Sequence, residues 1–119
     1  MTDLITALEK AADEVEAVNR ANGWFDTERS FGEDVALLHS EVSEMLEAYR
    51  DHGLKDATPT DLSGSLTFPK PEGVGSEAAD VLIRLVDTCR RYGVNLGEEF
   101  QRKLHYNSLR PHRHGGKNL

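Results

Sequence analysis

Apolar residues recur three and four positions apart in four stretches of this chain, and glycine or proline stands at the end of each. That period commits the chain to amphipathic helices rather than strands. The first stretch runs from about Asp3 to Ala21, with Leu4, Leu8, Ala11, Val15 and Val18 in step, and "NGWFD" breaks it at Gly23. The second opens at "SFGE", where Ser30 as N-cap and Glu33 three residues on make a capping box; it continues to about His52 and stops at Gly53. The third spans roughly Ser76 to Tyr92 and ends at Gly93. Its interior, "AADVLIRLVDTC", is apolar around more than half its circumference, which predicts the most buried helix of the set. Asn95 caps the fourth, Glu98 completes a second box, and Pro111 stops it near Arg110.

The expected fold is therefore all-α: four helices in one domain over residues 1–110, followed by a basic tail over 111–119. "PHRHGGKNL" is too rich in glycine and polar groups to continue a helix. Residues 54–74 contain Pro59, Pro69, Pro71, Gly64 and Gly73 and read as a long loop, with a short hairpin around "GSLTFP" as the alternative. At 119 residues the chain has room for one core. Three companions on so short a chain cannot cover the third helix. The second and third helices are thus expected to build a four-helix core with symmetry mates, as a homodimer or homotetramer.

A net charge of −7 argues against a nucleic-acid binder. No run is long or apolar enough for a membrane span, and acids throughout "MTDLITALEKAADEVEAV" argue against a signal or transit peptide, so the cytoplasm is the expected location. Cys89 is the sole cysteine, which rules out an intrachain disulfide and suggests a buried thiol. Charge is uneven along the chain. After Glu99 come Arg102, Lys103, Arg110, Arg113 and Lys117 and no acid, a basic end that can face an anionic ligand or balance the acidic body.

Two of the helices carry acids beside their apolar strips. In "LLHSEVSEMLEAYR" Glu41 and Glu44 lie about 60° apart around the helix, next to Val35, Leu38, Val42, Met45, Leu46 and Tyr49. In "EAADVLIRLVD" Glu77 and Asp80 repeat the spacing. Packing through adjoining apolar strips would bring the acidic edges together, and converging carboxylates repel and raise one another's pKa. A hard divalent cation, Mg²⁺ or Mn²⁺, removes that cost. The plain alternative is a solvated acidic face, with Arg84 and Arg91 neutralising Asp80 and Asp87 as surface ion pairs.

An E-x-x-E helix followed by an E-x-x-D helix resembles the MazG-like group of all-α nucleoside triphosphate pyrophosphohydrolases. "NRANGWFD", "ALLHSEVSEMLEAYR", "SEAADVLIRLVDTCRRYGVNL" and "KLHYNSLRPHRHGGK" all resemble segments of small single-domain members, and together cover most of the chain. One departure is the spacer between Glu44 and Glu77, longer than is usual there, which bears on the loop and on substrate choice. The resemblance implies hydrolysis of an NTP or dNTP to the monophosphate and pyrophosphate. On that reading Glu41, Glu44, Glu77 and Asp80 hold Mg²⁺, which supplies charge neutralisation at the phosphates and a lowered pKa for the attacking water. One glutamate, with Glu44 the leading candidate, orients or deprotonates that water.

On the fourth helix Lys103, Asn107 and Arg110 extend from one strip and suit a triphosphate; the alternative is a basic helix end complementing the macrodipole. Arg84 joins them as a substrate-binding candidate. Arg113 and Lys117 can close over phosphates from the tail, and His112 and His114 fit that task better than metal binding. Trp24, with Phe25, can stack on a base or plug the bundle end. Tyr106 fits either the core or the sugar, and His39 lies on the far side of its helix from Glu44. The rival classes are a catalytically inactive helical interaction protein and a nucleotide sensor without turnover. The presence of all four acids and Lys103 favours the enzyme.

Overall fold

The computed structural model describes residues 2–24, 28–61 and 67–110. Four helices follow in order: α1 over Thr2–Ala21, α2 over Phe31–His52, α3 over Val74–Arg91 and α4 over Leu96–Leu109. No strand occurs among the described residues. The first half of the hairpin suggested at "GSLTFP" lies outside them, as do Phe25 and the tail over 111–119.

Local chemistry explains where the helices begin and end. At α2 the Glu33 N–H donates to Ser30 Oγ at 3.1 Å while Glu33 Oε1 accepts from the Ser30 N–H at 3.2 Å, so the capping box is complete. Gly53 ends α2 with a positive φ of 65° and donates its N–H to the Tyr49 carbonyl. At α4 the Asn95 side chain accepts from the Glu98 N–H at 3.1 Å. Helix α3 starts two residues before Ser76, because Gly73 turns the chain there with φ 114°.

The segment between α2 and α3 is tied at its base. Ala57 N–H donates to the Glu72 carbonyl at 3.0 Å, and Glu72 N–H donates to Thr58 Oγ1 at 3.1 Å. Gly73 passes so near this crossing that a Cβ would sit 2.9 Å from the Lys55 carbonyl oxygen. The excursion thus leaves and returns at one point, and its length leaves the start of α3 well placed.

Helices α2 and α3 form the main packed pair. Tyr92 meets Asp34, Arg84 meets Glu41, and Glu77 lies within electrostatic reach of Glu44, an opposite order along the two helices that makes them antiparallel. Helix α1 crosses α3, where Arg90 reaches Asp13 at 2.8 Å and Glu16 at 3.2 Å. Helix α4 packs chiefly on α1, at a point where a Cβ on Gly97 would come within 2.9 Å of Ile5 Cα.

The packing corrects one expectation. Helix α2 presents Asp34, Leu37, Leu38, Glu41, Met45 and Ala48 to the rest of the chain, so Glu41 is in the seam rather than at its edge. Val42, Leu46 and Tyr49 face solvent, with Leu46 60% exposed. On α3, Val86, Asp87 and Thr88 are buried, whereas Leu82 and Ile83 are exposed. Its apolar circumference is too wide for the chain's own helices to cover, so only its C-terminal half is enclosed. Val18 on α1 is also exposed, and Ala12 and Val86 are the buried apolar residues of a small core.

Candidate metal centre

Glu41 is held by the capped helix α2, its side chain 12% exposed. Glu77 sits in the first turn of α3, where the helix dipole favours an acid, and Asp80 follows one turn later. Glu41, Glu77 and Asp80 each offer a carboxylate oxygen, and these atoms all lie within 4.8 Å of one another. Oxygens sharing one hard cation, at 2.0–2.6 Å each, are separated by at most roughly 4–5 Å. Glu77 Oε2 is buried and has no hydrogen-bond partner. A buried carboxylate oxygen left without a donor is costly, and a cation among these three would satisfy it. The donor set fits a hard divalent ion.

Charge at the site is under-compensated. Repulsion by Glu41 is the main cause that raises the Glu44 carboxyl pKa, and a hydrogen bond with Glu41, desolvation, Glu77 and Asp80 add to it. Asp80 is raised by desolvation first and then by Glu41, while Arg84 and Lys70 pull it down. Glu44 stands outside the set of three, yet it feels all of them. Beside Glu44 and Glu77 lies a cleft of about 250 Å³ lined also by Glu47, Asp51, His52 and Glu72. The cleft is strongly acidic, so it repels a free polyphosphate and tolerates one only when cations accompany it.

Arg84 is the cation of the seam, donating from Nε to Glu41 Oε1 at 2.8 Å. Its guanidinium carbon lies 5.0 Å from the centroid of the Trp24 ring, and that of Arg29 lies 5.7 Å from it. The Trp24 backbone is itself fixed by the end of α1, its N–H donating to the Asn19 carbonyl at 2.9 Å. Trp24 as a whole is 39% exposed. Trp24 is therefore an aromatic face held near the acids rather than a sealed plug.

A second acid in the same seam behaves differently. Asp34 is 4% exposed and accepts from Arg29 Nε at 2.7 Å and from the Tyr92 hydroxyl at 2.8 Å. Burial pushes its pKa up, but those hydrogen bonds and the charges of Arg29 and Arg91 outweigh burial and leave it below the ordinary value. Tyr92 is raised in turn by bonding to Asp34. Further along α3, Asp87 pairs with Arg91 at 2.9 Å, so one of the two ion pairs expected on α3 forms, but with Asp87 buried rather than at the surface. Arg84 takes Glu41 across the seam, although Asp80 feels its charge.

The structure brings together Glu41, Glu44, Glu77, Asp80, Arg84 and Trp24. Lys103, Tyr106 and Asn107 lie on α4, which packs on α1, Arg110 is its C-cap, and all four are exposed. Lys103 and Arg110 flank the Tyr106 ring at 5.8 and 5.9 Å, which makes Tyr106 neither core nor part of the acidic seam within this chain. Two residues near the site had no signal in the sequence. Lys70 comes from the loop, between Pro69 and Pro71, where no periodicity marks it. Arg29 precedes the Ser30 cap, and its charge can be placed only once Asp34 and Trp24 are located.

The other cavity of note lies elsewhere, a space of about 250 Å³ lined by Ile5, Leu8, Ala12, Val86, Cys89 and Leu96. It gathers apolar groups on the α1 side of α3, where burial raises the Cys89 thiol as expected for an inert packing cysteine. No helix among the described residues is long and apolar enough to cross a membrane. No protein-family model matches the chain, nor does any curated protein or solved structure.

Proposed function

We propose that the chain is a Mg²⁺-dependent nucleoside triphosphate pyrophosphohydrolase of the MazG-like kind. The observation that carries this reading is the convergence of Glu41, Glu77 and Asp80 from two antiparallel helices, with Glu77 Oε2 buried and unpartnered. Those three residues hold the cation, which supplies charge neutralisation at the phosphates and Lewis acidity toward the attacking water. Glu44, beside the three ligands, aligns that water and takes its proton as the oxygen attacks the α-phosphorus. The bond to the bridging oxygen then breaks, and pyrophosphate leaves with that oxygen. Arg84 and Lys70 are the nearest cations for the phosphates. Trp24 stacks on the base.

Oligomerisation belongs to the same proposal. A second copy covers Val42, Leu46, Tyr49, Leu82 and Ile83, completing a four-helix core around α2 and α3. Each large apolar side chain so enclosed contributes about 1.5–3 kcal/mol. On this reading Lys103, Asn107 and Arg110, carried on an element that packs on α1, serve a site that such packing completes. The deciding experiment measures pyrophosphate release from a panel of NTPs and dNTPs with and without Mg²⁺. Release that requires Mg²⁺ supports the enzyme; intact nucleotides throughout the panel would leave an interaction or sensing protein.

A further inference from the structure

Arg84 connects two features that are otherwise separate. Its Nε occupies Glu41 Oε1 at 2.8 Å in a seam where both side chains are largely buried. The same guanidinium lies 5.0 Å from the centroid of the Trp24 ring. Glu41 is also one of the three carboxylates whose oxygens come within 4.8 Å of one another. Two other buried or half-buried arginine–acid pairs nearby differ in setting. Asp34 accepts from two donors, Arg29 and Tyr92, and belongs to no acidic cluster among the described residues. Asp87 takes Arg91 from its own helix, one turn away. Only at Glu41 does an arginine cross between helices to a carboxylate that a cation site also claims.

We propose that Arg84 is an internal counter-ion for the metal-free site, released from Glu41 when a divalent cation is held there, and that the release is felt at Trp24. The inference rests on the metal reading given above. Without an ion, the guanidinium relieves repulsion among Glu41, Glu77 and Asp80. With one, Glu41 serves two cations that repel each other in a partly buried seam, and the pair with Arg84 weakens. Arg84 then presents a freed fork of N–H donors beside the acids, where the phosphates of a metal–nucleotide must lie. Metal first and nucleotide second is the order of binding that follows. Arg84 is thus a counter-ion that yields Glu41 to the metal and then serves as a phosphate contact.

The test uses the full chain with no nucleotide. Mg²⁺ is titrated into wild type, Arg84→Gln and Arg84→Lys, following heat and the emission of Trp24, the protein's only tryptophan. In wild type the emission should change and saturate together with the heat. Arg84→Gln removes the competitor, so it should bind Mg²⁺ about tenfold more tightly and show no emission response. Arg84→Lys keeps the charge without the planar fork and should bind as wild type does, with a reduced response. Should Arg84→Gln fail to fold, Arg84→Met, which keeps the aliphatic stem and drops the charge, takes its place with the same expected outcome. Equal or weaker Mg²⁺ binding by Arg84→Gln would mean that Arg84 holds Glu41 in place instead of competing for it. Heat without any emission change in wild type would overturn the link to Trp24. Absence of heat in wild type would remove the metal centre itself, a failure distinct from the other two.

Discussion

Two acidic spots share the α2–α3 seam, and they are finished to different degrees. At one end Asp34 is enclosed, takes two short hydrogen bonds, and is held below its ordinary pKa. Toward the other, Glu41, Glu77 and Asp80 converge with one oxygen of Glu77 left unpartnered, while Asp80 and the neighbouring Glu44 are pushed upward. A carboxylate with a donor on each oxygen stabilises the fold by itself. A group of carboxylates short of donors costs stability and is retained where something else supplies the charge. The contrast makes Asp34 a part of the architecture and leaves the three converging carboxylates as the place where the cation is proposed.

The largest expected effect separates the two by activity. Asp80→Asn should lower Mg²⁺-dependent turnover by roughly 100-fold or more, while the melting temperature without metal holds or rises because a repelling charge is gone. Near-wild-type turnover in this variant would dissolve the distinction between the two spots. The converse is Asp34→Ala, which strands Arg29 and the Tyr92 hydroxyl and should cost about 3 kcal/mol in denaturant unfolding. Its turnover per folded molecule should match wild type. A stable but inactive Asp34→Ala would move Asp34 into the site.

A smaller effect asks whether α4 belongs to the unfinished end. Lys103→Ala and Arg110→Ala should each reduce triphosphate turnover about tenfold or somewhat more, the worth of one charge-assisted contact, with little change in melting temperature. Lost stability with unchanged kinetics would leave both as structural companions of Tyr106.

The smallest effect is in the pH dependence of stability. Asp34 titrates below its ordinary 3.8 when folded. Its contribution is therefore complete above that value and disappears as pH falls through the lowered one. Asp80 and Glu44 titrate above their ordinary values of 3.8 and 4.5 when folded. Between the ordinary and raised values the folded metal-free protein binds more protons than the unfolded chain, so its stability falls as pH rises through that window. Melting curves should show both slopes without metal, and Mg²⁺ should abolish the second alone. Parallel curves with and without Mg²⁺ would mean that the triad holds no cation.

Much of this was legible in the residues. Ser30 with Glu33, Gly53, and Asn95 are signals acting within a turn of where they stand, so the ends of α2 and the start of α4 could be read without a fold. The E-x-x-E and E-x-x-D spacings likewise put each acidic pair on one face of its own helix. Less legible was the direction of those faces. The apolar strip of Val35, Leu38, Val42, Met45, Leu46 and Tyr49 looked like the packing surface with acids at its margin; in the fold Glu41 is in the seam and Leu46 faces solvent.

What the sequence by itself determined, then, is the set of helices and the acids each one carries, because helix period, caps and stops depend on neighbours a few residues away. Tertiary structure decided which acids share a space and which are satisfied. Asp34 sits on the same strip as Glu44, and nothing in that strip says that Tyr92, far along the chain, will donate to one and not the other. Nor does periodicity reveal that Arg84 will cross to Glu41 instead of pairing along its own helix, or that Lys70 will return from a proline-rich loop to Asp80. The antiparallel register of α2 against α3 makes those pairings, and register is a property of two helices packed together, set by long-range contacts that no local spacing encodes.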